Sequence, residues 1–307
     1  MIQLNSTKSI LSKDAFIQEG CAPNDDVLIL ACTIGEDTDD PKNEVYLVTT
    51  KHQLHFGFAG EALVSVDWHT DGTAFVMGNE GSVIRFHWSE ISSEKDLKDS
   101  RELFENTHAV EIGPMRRIRI IDGTPVCVGS FGQIYSFQHG RFKKFPFLDI
   151  YDDEVTIKDI AGESLTDMIA VTQQGHVAIY NGSHWVNIDL PAQGKLSGIT
   201  RSNDGHYVVV GSEGNFFIGE KDHWVHHHAN DKNRDYYGVA IHDTLIYLAH
   251  IGGVDMFDGK NIEEISYDKK TGLEFAYLSS GKTCVWSCNG STIGHISNRK
   301  WITLMRK

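Results

Sequence analysis

Basic residues are scarce in this chain: 28 lysines and arginines stand against 42 aspartates and glutamates among 307 residues, a formal net charge of −14. A protein gripping nucleic acid through phosphates needs the opposite sign, so no nucleic-acid partner is expected. Proline is scarcer still, 6 residues, and glycine is 29, which excludes collagen-like and proline-rich disordered chains. No apolar run approaches the ~20 residues of a membrane helix; Val27–Cys32 is typical of the longest. No membrane partner is expected. The start, Met1–Lys8, is mixed and polar, without the basic and apolar regions of a secretory signal, so the expected compartment is the cytoplasm. Cysteine is limited to five positions (21, 32, 127, 284 and 288), mostly inside apolar runs, and these are expected to be buried free thiols. Cys284 and Cys288 have no second pair to complete a zinc site. Also absent are a Gly-x-Ser-x-Gly elbow, a Walker loop and a His-Glu-x-x-His pair. No catalytic residue, metal or cofactor is assigned.

What is present is a repeat. A glycine opens an alternating strand, a short polar turn follows, and a large apolar residue closes the unit. Gly132 leads to Phe142, Gly175 to Trp185, Gly214 to Trp224 and Gly252 to Ile262, each ten positions on; Gly290 leads to Trp301, one residue longer. These glycines are spaced by 43, 39, 38 and 38 residues, and an earlier copy starts at Gly81. Its longer step to Gly132 contains a charged, helix-like insert, Ser92–Asn106. The preceding half of each unit repeats as well: two alternating apolar runs joined by Asp71-Gly72, Asp122-Gly123, Asp204-Gly205 or His242-Asp243. Asp-Gly between such runs is a strong hairpin signal, because the turn demands positive φ.

Each unit therefore reads as four short strands with period-two patterning. Four strands cannot bury both faces alone, and stacking such units radially gives a β-propeller. The expected fold is all-β: one seven-bladed β-propeller of four-stranded antiparallel blades spanning 1–307, with a six-bladed ring as the alternative. Clear blades fill 62–307, and a weaker first blade lies in 21–61. Closure is expected to pair the N-terminal segment with strands in 290–304. The blades resemble the two-component-regulator type of repeat in bacterial β-propellers, where a Gly, an alternating strand, an aromatic, an Asn/Asp-Gly turn and a Trp follow in order. Gly175 to Trp185 through Asn181-Gly182, and Gly252 to Ile262 through Asp258-Gly259, match that order. The blades are WD40-like in architecture, although no Gly-His plus Trp-Asp pair is present. That resemblance implies a scaffold and leaves function to the site.

Acidic residues point to a partner surface. The segment Asp149, Tyr151, Asp152, Asp153 and Glu154 connects an outermost strand to the next innermost one, and so opens on a rim of the ring. Asp231, Arg234, Asp235 and Tyr236 occupy the equivalent connection two blades on, and the turns with Glu80 and Glu213 face the same rim. Focused negative charge there would attract a basic protein and speed its association. The Glu36–Glu44 loop is expected on the opposite face. Neither acidic loop has an EF-hand pattern. In His226-His227-His228, alternation gives one face two imidazoles, which leaves a tetrahedral metal site incomplete.

Two classes of function follow. The first is a non-enzymatic, cytoplasmic, protein-binding propeller, most concretely a bacterial immunity or inhibitor protein that neutralises a basic toxin through an acidic rim. The second is a lyase or glycosidase with Asp67, Asp159 or Glu274 converging in the central channel, or a glycan or small-molecule binder there. The repeating Trp185, Trp224 and Trp301 are expected in the core.

Overall fold

The computed structural model describes residues 11–12, 14–35, 42–150, 154–191, 194–221, 223–229, 234–267 and 276–306. It contains seven four-stranded antiparallel sheets. Blade 1 is β1–β4 (Ala15–Asn24, Val27–Ile34, Lys42–Thr49, Gln53–Ala59) and blade 2 is β5–β8 (Leu63–Trp68, Thr73–Gly78, Val83–His87, Glu102–Phe104). Blade 3 is β9–β12 (Met115–Ile121, Thr124–Gly129, Ile134–Gln138, Arg141–Lys144) and blade 4 is β13–β16 (Ile157–Ser164, Asp167–Thr172, Val177–Tyr180, Trp185–Ile188). Blade 5 is β17–β20 (Leu196–Arg201, Tyr207–Gly211, Asn215–Glu220, His223–His228). Blade 6 is β21–β24 (Tyr236–His242, Leu245–His250, Gly253–Phe257, Ile262–Glu264) and blade 7 is β25–β28 (Leu278–Ser280, Val285–Asn289, Thr292–Ser297, Lys300–Arg306). The ring is a seven-bladed β-propeller, and the six-bladed alternative is set aside.

Period-two patterning builds the core. In β2, Leu28, Leu30 and Cys32 face blade 7, while Ile29 and Ala31 face blade 2. The same division recurs round the ring: among the described residues there are seven apolar clusters, one at each interface between neighbouring blades. Trp185, 4% exposed, sits in the cluster between blades 3 and 4 and donates its indole N–H to the Pro146 carbonyl at 2.8 Å. Trp224 and Trp301 pack against the clusters at the interfaces of blades 4–5 and 6–7. All five cysteines are buried free thiols. Asp122 and Gly123 both have positive φ, 46° and 72°, as the two-residue hairpin turn requires.

Three expectations are corrected. The first blade starts at Ala15, because its inner strand β1 runs through Glu19, Gly20 and Pro23 with two register shifts against β2. The insert between Ser92 and Asn106 is helical only at α1 (Glu94–Ser100); its end supplies β8, the fourth strand of blade 2, and a second helix, α2 (Thr107–Ile112), follows. Helix α1 has a capping pair: Ser93 Oγ accepts from the Asp96 N–H at 3.1 Å, and the Asp96 carboxylate accepts from the Ser92 hydroxyl at 2.6 Å. Closure, finally, does not exchange a strand among the described residues: each sheet is four consecutive strands. Blade 7 meets blade 1 through the Ile17–Gly290 bridge, an Ala22 N–H donating to Ser279 Oγ at 3.0 Å, and Asp25, which accepts from the Thr283 N–H at 3.1 Å and its hydroxyl at 2.7 Å.

Candidate partner-binding rim and central channel

Antiparallel order puts two kinds of connection on one rim: the segments leading into each inner strand, and the turns between second and third strands. Hydrogen bonds fasten the two together. Asn79 N–H donates to the Ala62 carbonyl at 2.8 Å, Ser130 N–H to Pro114 at 2.9 Å, Gln173 N–H to Thr156 at 2.9 Å and Ser212 N–H to Lys195 at 2.8 Å. Side chains add to this: Asn79 Oδ1 accepts from the Ala62 N–H, Gln174 Oε1 from Thr156, and Ser212 Oγ from Lys195. Glu61, 6% exposed, accepts from the Glu80 and Ser82 N–H groups. Burial raises the pKa of Glu61, with the neighbouring Glu80 charge acting in the same direction, against the hydrogen bonds it accepts. The rim is a set of loops held on a stiff scaffold.

Of the sequence-predicted rim residues, Glu80, Asp149, Glu154, Glu213 and Asp235 are exposed. Asp235 Oδ1 accepts from the Glu213 N–H at 3.0 Å, which ties the segment before blade 6 to the blade 5 turn. Tyr151, Asp152, Asp153 and Asp231 lie outside the described residues. Tyr236 is corrected: its side chain is 0% exposed, and its hydroxyl donates to Asp255 Oδ2 at 2.7 Å, so it belongs to the blade and not to the surface. Arg234 is largely committed inward, pairing with Asp255 Oδ1 at 2.5 Å and Glu264 Oε2 at 3.1 Å and touching His250 Nε2 at 2.8 Å. The Glu36–Glu44 loop is also corrected: it joins the second and third strands of blade 1, so its flanks Ile34 and Lys42 stand on this same rim, while residues 36–41 lie outside the described ones.

Sequence reasoning missed the apolar part of this rim. Eight large apolar side chains are exposed among the described residues. Leu103, Val186, Val225 and Ile302 lie on outer strands; Phe16, Phe131, Ile150 and Ile251 lie on or beside the rim. None lies in the turns of the opposite face. The turn patterns Ser130-Phe131-Gly132 and His250-Ile251-Gly252 carried the signal, a large apolar residue where the turns of blades 2, 4 and 5 place Glu80, Gln174 and Glu213.

The channel is lined by all seven inner strands around a cavity of about 250 Å³. Asp67 and Asp159 stand there as expected, together with Glu19, Arg117 and Arg119, which sequence reasoning did not place; Glu274 lies outside the described residues. Glu19 Oε1 receives Arg117 Nη1 at 2.7 Å and Arg119 at 3.3 Å, and its Oε2 accepts from Ser65 Oγ at 2.5 Å and the Val66 N–H at 3.1 Å. Arg119 Nε reaches Asp159 Oδ1 at 3.0 Å, and the Tyr277 ring covers the Arg117 guanidinium at 4.6 Å. Each carboxylate also accepts an inner-strand amide of the next blade: Glu19 from Val66, Asp67 from Ile120 at 2.8 Å and Asp159 from Ile199 at 3.5 Å. Burial opposes the charge on Glu19, but the two guanidiniums and the Ser65 and Val66 donors overcome it and hold its pKa low. Burial dominates at Asp67 despite Arg119 and the two amides, and pushes its pKa up to about 6.

Three comparisons bear on the chain once this geometry is known. Residues 153–297 match the family described as photosynthesis system II assembly factor YCF48. Immune protein Tsi7 of Pseudomonas aeruginosa is 23% identical over 279 residues, covering 88% of this chain and 83% of that protein. Among solved structures, the WD40 β-propeller domain of Doa1 superposes with a TM-score of 0.66 at 11% identity, covering 100% of this chain and 97% of that one. YCF48 bound to D1 peptide gives a TM-score of 0.65 at 12% identity, covering 94% and 91%. By its own architecture and by these likenesses, the chain is a β-propeller repeat protein.

Proposed function

We propose that this protein is a non-enzymatic, protein-binding propeller of the cytoplasm, and specifically an immunity protein that neutralises a basic toxin by covering it with the acidic rim. The observation that carries the reading is the rim itself: Glu80, Asp149, Glu154, Glu213 and Asp235 are exposed on one face, on loops fastened to each other, in a chain of net charge −14. Such a surface steers a basic partner and fixes its orientation. Similarity to an immune protein along most of both chains supports the narrower role, and the solved likeness to a propeller holding a peptide supports the broader one. The test is affinity capture from native lysate at low and high salt with mass-spectrometric identification, repeated with Asp149→Lys/Glu213→Lys. A single stoichiometric basic partner is expected, weakened by salt and by the charge reversal. No partner at either salt would sink the reading.

Acid–base chemistry in the channel is the second reading, favoured by Asp67 alone, whose proton exchanges near pH 6. Glu19 and Asp159 are held by guanidiniums and amides, which suits them to structure rather than to proton transfer.

A further inference from the structure

In six blades one residue immediately precedes the glycine corner: Glu80, Phe131, Gln174, Glu213, Ile251 and Asn289. Phe131 and Ile251 are the apolar ones, and of the two it is Phe131 that takes a left-handed backbone. Phe131 is 44% exposed, belongs to none of the seven core clusters, and holds a left-handed φ of 56°. That conformation is a strained one for a bulky residue, and such strain concentrates at functional surfaces. One edge of the ring lies over Gly113, the C-cap of α2, where a Cβ would stand 2.8 Å from it. The next residue, Gly132, is bonded on both sides to the segment that enters blade 4: its N–H donates to the Val155 carbonyl at 2.9 Å, and its carbonyl accepts from the Leu148 N–H at 2.8 Å. Phe131 therefore sits within a residue of a segment that offers Ile150, 40% exposed, between the exposed carboxylates of Asp149 and Glu154.

We propose that Phe131 and Ile150 form an apolar anchor on the rim at blades 3 and 4, and that its occupant is a basic protein segment presenting one large apolar side chain between lysines or arginines. The proposal rests on the partner-binding reading above and adds to it where the partner docks and what it presents. The chemistry is that of an interface hot spot: a small apolar centre supplies the desolvation energy, and the charged surround supplies complementarity and register. The charge of the surround selects basic flanks, and the exposed apolar pair selects the central side chain.

Three short fluorescent peptides serve as probes by anisotropy: one with a leucine between lysine-arginine pairs, one with that leucine changed to serine, and one with the basic residues changed to glutamate. The leucine peptide is expected to bind at least about tenfold tighter than the serine peptide, the share of a single strong interface anchor, and the glutamate peptide not at all. Phe131→Gly is expected to remove the leucine advantage while leaving the melting temperature unchanged or higher, because glycine adopts the left-handed φ without strain. Ile150→Ser is expected to act in the same direction. Equal binding of leucine and serine peptides, or a leucine advantage that survives in Phe131→Gly, overturns the anchor. If neither basic peptide binds while affinity capture yields a basic partner, the anchor fails and the partner-binding reading stands. If capture fails as well, both fail. Concentration-dependent self-association in sedimentation that Phe131→Gly abolishes would assign the patch to a second copy of the chain and overturn the proposal.

Discussion

Removing the Glu19 carboxylate is the sharpest perturbation of the ring. Glu19, 4% exposed, is the point at which blades 1, 2 and 3 meet: it takes the Arg117 and Arg119 guanidiniums and the Ser65 and Val66 donors. Arg117 is 3% exposed, so Glu19→Ala leaves a buried guanidinium whose remaining carboxylate, Asp159, is 3.8 Å away and shared with Arg119. Breaking a buried pair on one side costs about 3–5 kcal/mol. Unfolding entropy of about 2.1 cal/mol/K per residue over a chain of this length turns that into a fall in melting temperature of about 5–8 °C. Differential scanning calorimetry at neutral pH measures it. Glu19→Ala/Arg117→Met should recover part of the loss, since the buried charge goes with its partner. A melting temperature for Glu19→Ala within about 1 °C of wild type would refute the reasoning that this network joins the blades.

Further outcomes follow from the same geometry. The pKa of Asp67 is raised in the fold from 3.8 to about 6, so its protonated form is favoured there, and its contribution to stability falls as pH rises through that window and is flat above it; Asp67→Asn should abolish that slope in a melting-temperature series. Glu19 is held below its ordinary value, so its contribution has the opposite sign, full above its unfolded pKa and lost as pH falls below it. Asp25→Ala removes the acceptor for the Thr283 N–H and hydroxyl and should cost about 1–3 kcal/mol, read as faster hydrogen exchange in β25 and β26 beside blade 1. Tyr236→Phe deletes a buried donor to Asp255 and should lower stability by about 1–3 kcal/mol without changing affinity for the captured partner.

The blades were legible because the physics that builds them is local. A glycine corner, a period-two strand and a large apolar residue ten or eleven positions on recur from Gly132 to Trp301, and the interface clusters follow from the alternation in strands such as β2. β1 was not legible: Glu19, Gly20 and Pro23 interrupt its pattern, and what makes it a strand is its position against β2 in the closed ring. β8 was hidden by an insert whose charges suit a short helix and whose last residues pair only with β7. In the channel, Asp67 and Asp159 could be placed from strand order, but the partners that neutralise Glu19 and Asp159 come from a different blade, and sequence carries no distance between blades. Arg117 and Arg119, two apart on one strand face, were the available sign. On the rim, charge was legible in composition, whereas the burial of Tyr236 beneath Asp255 depends on a contact nineteen residues away in sequence.

The most direct test of the account is a hydrogen-exchange footprint of the protein with its captured partner. Protection is predicted on one face only, at the turns 79–82, 130–132 and 212–214 and the segments 148–150 and 234–237. Protection confined to the opposite turns, such as 122–123 and 204–205, or to the outer strands, would contradict it.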